Sequence, residues 1–160
     1  MKKIETEVTI EATAKKVWQV LTNFEDYPKW NPFIRRISGS RQEGEKLEVF
    51  LKPPESKGMT FHPKVKKSEP GKEFSWKGRL GLPGIFDGEH YFIIKEVSSK
   101  RTHLTHGEKF SGLLIPFMGN IFDKTREGFE LMNKTLKKEC ERQEKPARVK
   151  NSVSENPGAG

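Results

Sequence analysis

Two histidines and a glutamate carry most of the chemistry this chain can offer. His90 lies on a strand-like segment, Ile85–Val97, and His106 and Glu108 lie on the next, Arg101–Phe110. A three-residue turn at Ser98-Ser99-Lys100 sets Phe92 opposite His106 and His90 opposite Glu108. His90, Phe92, His106, Glu108 and Phe110 then share one face, with the two imidazoles as diagonal neighbours. Imidazole titrates near neutral pH, so this group can orient a bound polar head or act as general acid and base. The same group also makes sense as a hydrogen-bonded set that satisfies polar atoms at a cavity mouth. Two His and one Glu without a clear further ligand are a weak zinc signal, and no metal is expected.

Other reactive signatures are missing. There is no Gly-rich phosphate loop, nucleophile elbow, His-Glu-x-x-His or dinucleotide fingerprint, and no cofactor is expected. The single Cys140 excludes an internal disulfide and a Cys-rich zinc site. It falls late on a helical segment among charges, with no base beside it, and reads as a bystander.

The aromatic residues Trp30, Phe61, Phe74, Trp76, Phe92, Phe110, Phe122 and Phe129 form either a packed core or the wall of an apolar cavity. The indole N–H of Trp76 wants a partner, which suits a pocket wall as well as a core. Ile121 and Thr125, on the apolar stripe of the last helix, join the expected lining. Gly81-Leu82-Pro83-Gly84-Ile85-Phe86 is an apolar loop that serves as a lid or as a packed turn. Phe117-Met118-Gly119 faces it as an opposing lip, so Leu82, Ile85, Phe86, Phe117 and Met118 are the entrance candidates. Trp30-Asn31-Pro32-Phe33 reads as a structural corner.

The elements that must position these groups follow from periodicity. Ile4, Thr6, Val8 and Ile10 alternate with polar residues over Lys2–Glu11, the period of a half-buried strand. Thr13 can cap a short helix over Ala14–Thr22, and Asn23 is a second capping candidate before Asn31-Pro32 halts the chain. Strand-like runs follow at Ile34–Ser38, Lys46–Lys52, Met59–Lys67 and Glu73–Leu80, divided by turn chemistry such as Glu69-Pro70-Gly71-Lys72. With no helix between them they must pair antiparallel. From Phe117 to about Gln143, apolar residues recur every three or four positions, which predicts one long amphipathic helix. The fold class is therefore α+β: a curved antiparallel sheet of about six to seven strands, two short helices after the first strand, and a long C-terminal helix. A straight helix over a twisted sheet should touch it more easily at its ends than in its middle, leaving a cavity between them.

The run Ala14-x-x-Val17-Trp18-x-Val20-Leu21-Thr22-x-Phe24-x-x-Tyr27-x-x-Trp30-Asn31-Pro32-Phe33 resembles the N-terminal signature of the START-like, Bet v 1-like (SRPBCC) superfamily, in its polyketide cyclase/dehydrase and lipid-transport-like branch. Asp87–Phe92 and Leu104–Gly112 resemble that group's last two strands, and the resemblance spans about residues 2–142. It implies a helix-grip fold holding a hydrophobic ligand between sheet and long helix. Function varies within the superfamily, which includes carriers, cyclases and parts of larger assemblies, and a shared fold is not shared chemistry.

Composition bounds the rest. The chain has 160 residues, 32% apolar and 32% charged, yet 10% aromatic, which fits an aromatic-rich domain diluted by a polar segment. Residues 1–143 are read as the domain and 144–160 as a basic, polar and disordered tail. Half of the net charge of +8 comes from the stretch 134–150. No aromatic residue is interleaved there to stack on bases, which speaks against nucleic acid as a partner. Membrane contact, if any, is expected to be transient, and the sequence leaves the oligomeric state open. No apolar run approaches the roughly 20 residues of a membrane span and no secretory h-region follows Met1, so a cytoplasmic protein is expected. The first functional reading is binding or transport of a small hydrophobic or amphipathic molecule, lipid-like or polyketide-like. An enzyme of the cyclase, aromatase or hydratase type and a protein- or membrane-interaction module are the alternatives.

Overall fold

A computed structural model describes residues 1–145, so the tail expected from Pro146 onward lies outside the described residues. β1 (Lys2–Ile10) leads into α1 (Ala14–Thr22), a single 3-10 turn (Phe24–Asp26) and α2 (Tyr27–Trp30). Thr13 caps α1 by accepting a hydrogen bond from the Lys16 amide at 3.0 Å. Asn23 does not cap the next turn; its amide instead donates to the Asp26 carboxylate at 3.0 Å. The Asn31 side-chain oxygen then accepts from the amides of Phe33 (3.0 Å) and Ile34 (2.8 Å). That Asx turn fixes the corner between α2 and the sheet.

The strands that follow are β2 (Ile34–Gly39), β3 (Leu47–Leu51), β4 (Met59–Phe61), β5 (Lys64–Glu69), β6 (Glu73–Leu80), β7 (Phe86–Ser98) and β8 (Arg101–Ser111). All pair antiparallel, in the orders β1-β8-β7-β6-β5 and β2-β3-β4. The strand expected over Met59–Lys67 is thus two strands. Pro63 has no N–H to give a ladder, so pairing breaks at His62-Pro63. Its carbonyl accepts from the Leu47 amide (2.8 Å), and the Val65 amide donates to Glu45 (2.8 Å), stitching the two sheets into one bent surface.

The β7–β8 register is the one the turn arithmetic requires: Phe92 opposes His106 and His90 opposes Glu108. The turn itself is tighter than expected. Ser98 pairs with Arg101, and a bulge between Glu96 and Ser98 restores the register.

The last helix, α3 (Ile121–Glu144), starts four residues later than Phe117; Ile115–Phe117 forms a separate 3-10 turn. Its buried face carries Phe122, Thr125, Gly128, Phe129, Met132, Asn133, Leu136 and Cys140. α3 packs on β1 and α1. Gly128 lets it come close, because a Cβ there would collide with the Phe33 ring. Contrary to the expected midspan gap, the middle and C-terminal turns of α3 seal the core. Cys140 is fully buried, with Glu139, Glu141 and Lys16 nearby, and burial pushes its thiol up to about 12. No helix among the described residues is long and apolar enough to cross a membrane.

Candidate functional site

The opening between helix and sheet lies at the N-terminal end of α3. There the inner faces of β3, β4, β6, β7 and β8 splay from the helix and leave a cavity of about 300 Å³. Val49, Leu51, Phe61, Trp76, Leu80, Phe86 and Phe110 supply most of its wall. The β3–β4 loop (residues 52–58) covers one side, with Pro53, Ser56, Lys57 and Gly58 on the lining. Ser56 braces that loop by donating to the Pro53 carbonyl at 2.8 Å, and Glu55 ties it to α3 through Lys124 at 3.1 Å. Lys57, Arg79 and Lys124 bring positive charge to the lining, and Glu108 is its one carboxyl.

Glu108 reaches this position because of a glycine. Gly88 on β7 sits beside it, and a Cβ there would lie 2.6 Å from Glu108 Oε1. Behind Glu108 runs a chain of polar contacts. Glu108 Oε2 is 3.4 Å from His90 Nδ1, and His90 Nε2 is 2.9 Å from His106 Nε2. His106 Nδ1 is 2.9 Å from the Asn133 amide oxygen on α3. Asn133 Nδ2 donates to Thr6 Oγ1 at 2.9 Å, and the Thr6 hydroxyl donates to the His106 carbonyl at 3.2 Å. The chain crosses from β1 through α3 and β8 to β7.

Aromatic rings enclose both imidazoles. Trp76 stacks on His90 with centroids 4.6 Å apart, and Phe129 stacks on His106 at 3.9 Å with Phe92 on its other side at 4.4 Å. This dry setting disfavours charge. Burial pushes His90 down to about 3. His106 lies well below the ordinary imidazole range, chiefly through burial and secondly through His90. Burial raises the Glu108 carboxyl to about 8. At pH 7 the group is two neutral imidazoles and a carboxylic acid, with only the acid on the cavity wall.

The expected site residues therefore separate into two groups. Phe61, Trp76, Phe110, Ile121, Thr125 and Glu108 line the cavity, as do Phe86 and Met118 from the expected entrance. His90 and His106 stand behind the wall. Phe74, Phe92, Phe122 and Phe129 are buried in the core, and Trp30 packs edge-on against Tyr27 at 5.0 Å. Leu82 (71% exposed) and Phe117 (82% exposed) face outward, and Ile85 does not reach the lining. Sequence reasoning missed Thr6 and Asn133 as network members, Gly88 as the space beside Glu108, and the β3–β4 loop as a cover. The signal for the first two was a polar residue on an otherwise apolar face. No group of three metal-ligating side chains comes together among the described residues.

Residues 1–143 match the model of a family described as polyketide cyclase / dehydrase and lipid transport. No curated protein matches the chain in sequence. Among solved structures, a START superfamily protein from Mycobacterium smegmatis superposes with a TM-score of 0.69 at 19% identity, covering 88% of this chain and 98% of that one. The Zhui aromatase/cyclase from Streptomyces sp. R1128 gives 0.66 at 18% identity, covering 92% and 98%. A norcoclaurine synthase from Thalictrum flavum gives 0.69 at 15% identity, covering 90% and 96%. At these identities the likeness is one of fold, here the helix-grip fold.

Proposed function

Since this chain belongs to the polyketide cyclase / dehydrase and lipid transport family, we propose that it binds a small hydrophobic or amphipathic molecule in the cavity at the start of α3. The binding unit is residues 1–143. The observation that carries this reading is the cavity itself: about 300 Å³, apolar over most of its wall, with one carboxyl inside. That combination is the usual make-up of a small-molecule site. Burying apolar ligand surface there supplies about 25 cal/mol per Å² removed from water. Lys57, Arg79 and Lys124 suit an anionic or polar head left at the mouth, with the apolar part inside.

Native mass spectrometry of the protein purified from its own host tests the reading directly. A co-purified small molecule, released by Leu51→Trp, which fills the cavity, is the expected result. No adduct, together with no thermal shift across a panel of lipids and polyketides, would overturn it.

A second reading, proton transfer of the cyclase, aromatase or hydratase type, draws support from Glu108, an acid that keeps its proton to about pH 8 beside bound material. It predicts turnover that Glu108→Gln abolishes while binding persists. Carriage without turnover leaves the first reading alone.

A further inference from the structure

The order of donors along the buried chain fixes which way Glu108 offers itself to the cavity. The Thr6 hydroxyl hydrogen is used on the His106 carbonyl, so its oxygen accepts from Asn133 Nδ2. Asn133 Oδ1 therefore faces His106 Nδ1, which must carry the hydrogen of that 2.9 Å contact. A neutral His106 then has a bare Nε2, and His90 must donate to it from its own Nε2 across 2.9 Å. His90 in turn is left with a bare Nδ1, so the contact with Glu108 Oε2 is one in which the carboxylic acid donates. Each imidazole has one hydrogen, and every link follows from the one before it.

The acid's proton is thus turned inward, away from the cavity. Its other oxygen, Oε1, has no hydrogen-bond partner among the described residues and lies over Gly88, which itself lines the cavity. Resting on the ligand-binding reading above, we infer that the inner end of the ligand carries a hydrogen-bond donor, an alcohol, phenol or N–H group, seated on Glu108 Oε1. An ether, ester or ketone would set an acceptor against an acceptor in an apolar cavity, and an unsatisfied buried polar pair is costly. The cavity accordingly selects against ligands whose only polar atom at that end is an acceptor.

Three probes of one shape separate the cases: 2-naphthol, 2-methoxynaphthalene and naphthalene, titrated near neutral pH by isothermal calorimetry. The wild-type protein is expected to bind 2-naphthol about tenfold more tightly than its methyl ether, the scale of one well-made buried hydrogen bond. Glu108→Leu should bring the ratio close to one. Glu108→Gln should retain it, because its amide N–H₂ donates to His90 Nδ1 as the acid does and its carbonyl faces the cavity. Equal binding of naphthol and ether to the wild type, or an undiminished preference in Glu108→Leu, overturns the inference and leaves the cavity reading standing. Loss of the preference in Glu108→Gln while naphthalene still binds also overturns it, since a charge or a proton would then be the recognised feature. Failure of all three probes to bind removes the cavity reading and the inference with it.

Discussion

Nε2 of His106 lies 2.9 Å from Nε2 of His90, and exactly one hydrogen fits between them. With Asn133 holding a hydrogen on His106 Nδ1, that hydrogen belongs to His90. Long-range ¹⁵N–¹H correlation spectra should therefore show His106 as the Nδ1–H tautomer and His90 as the Nε2–H tautomer. Neither ring should titrate near the usual imidazole value, because burial holds His90 to about 3 and His106 well below normal. A midpoint near 6.5 for either ring, or reversed tautomers, contradicts the assigned order.

Glu108 makes stability fall on the alkaline side. Its folded carboxyl titrates at about 8, against an unfolded value of about 4.3, so the folded state binds more protons between those limits. Stability is unaffected by this group below the unfolded value, declines as pH rises, and reaches its full deficit above the folded value. The deficit is about 5 kcal/mol as an order of magnitude. Glu108→Gln has no such titration. Urea denaturation should show the variant gaining on the wild type from about pH 5 to pH 9. A pH-independent difference between the two would show that the carboxyl is not held neutral.

Much of this architecture could be read without coordinates because each element had its own local signal. Alternation placed Ile4, Thr6, Val8 and Ile10 on one face of β1, and Thr13 marked the start of α1. The register that puts His90 against Glu108 was also legible, although the turn is the two residues Ser99-Lys100 and a bulge between Glu96 and Ser98 makes up the difference. What escaped depends on distances between elements. Whether the long helix seals at its middle or at its ends turns on Gly128 and Phe33 meeting without a Cβ between them. Asn133 was not singled out, since its partners Thr6 and His106 are more than twenty-five residues away in sequence. Pro63 falls inside the one strand expected over Met59–Lys67, so neither the break it makes nor its carbonyl's role in joining two sheets was anticipated.

Gly128 supplies a test in which two effects have opposite signs. Ala in mid-helix is favoured over Gly by about 1 kcal/mol from propensity alone. Here the added methyl would strike the Phe33 ring, which is buried and packed edge-on against Phe129 at 5.3 Å. Overpacking of this kind costs about 1–3 kcal/mol. Gly128→Ala should therefore lower the melting temperature, and a rise would mean that α3 is free to back away from the corner at Phe33.

Gly88→Ala probes the cavity wall without removing a polar group. The new Cβ would stand 2.6 Å from Glu108 Oε1, so the carboxyl must turn aside or the methyl must cover it. Strand geometry tolerates Ala here, and the fold should survive. Isothermal titration should show 2-naphthol losing most of its advantage over its methyl ether, while naphthalene changes little. An unaltered ratio would place the recognised oxygen elsewhere.

The outer lip carries the last prediction. Leu82 is 71% exposed, Leu113 77% and Phe117 82%, unusual figures for large apolar side chains in one region. They belong to two loops tied together by the Leu113 amide on Gly84 O (3.0 Å) and the Leu114 amide on Ile85 O (3.1 Å). Their neighbours Leu80, Phe86 and Met118 line the cavity, so the lip stands beside its mouth. Because these side chains bury little in the folded protein, Leu82→Ser with Phe117→Ser should change stability by no more than about 0.5 kcal/mol per site. Affinity for a probe in water should also hold, since neither residue reaches the lining. The rate at which the protein extracts 2-naphthol from phosphatidylcholine vesicles should fall, because that step requires apolar surface to meet the bilayer. An unchanged extraction rate beside unchanged affinity would leave the lip without a part in ligand entry.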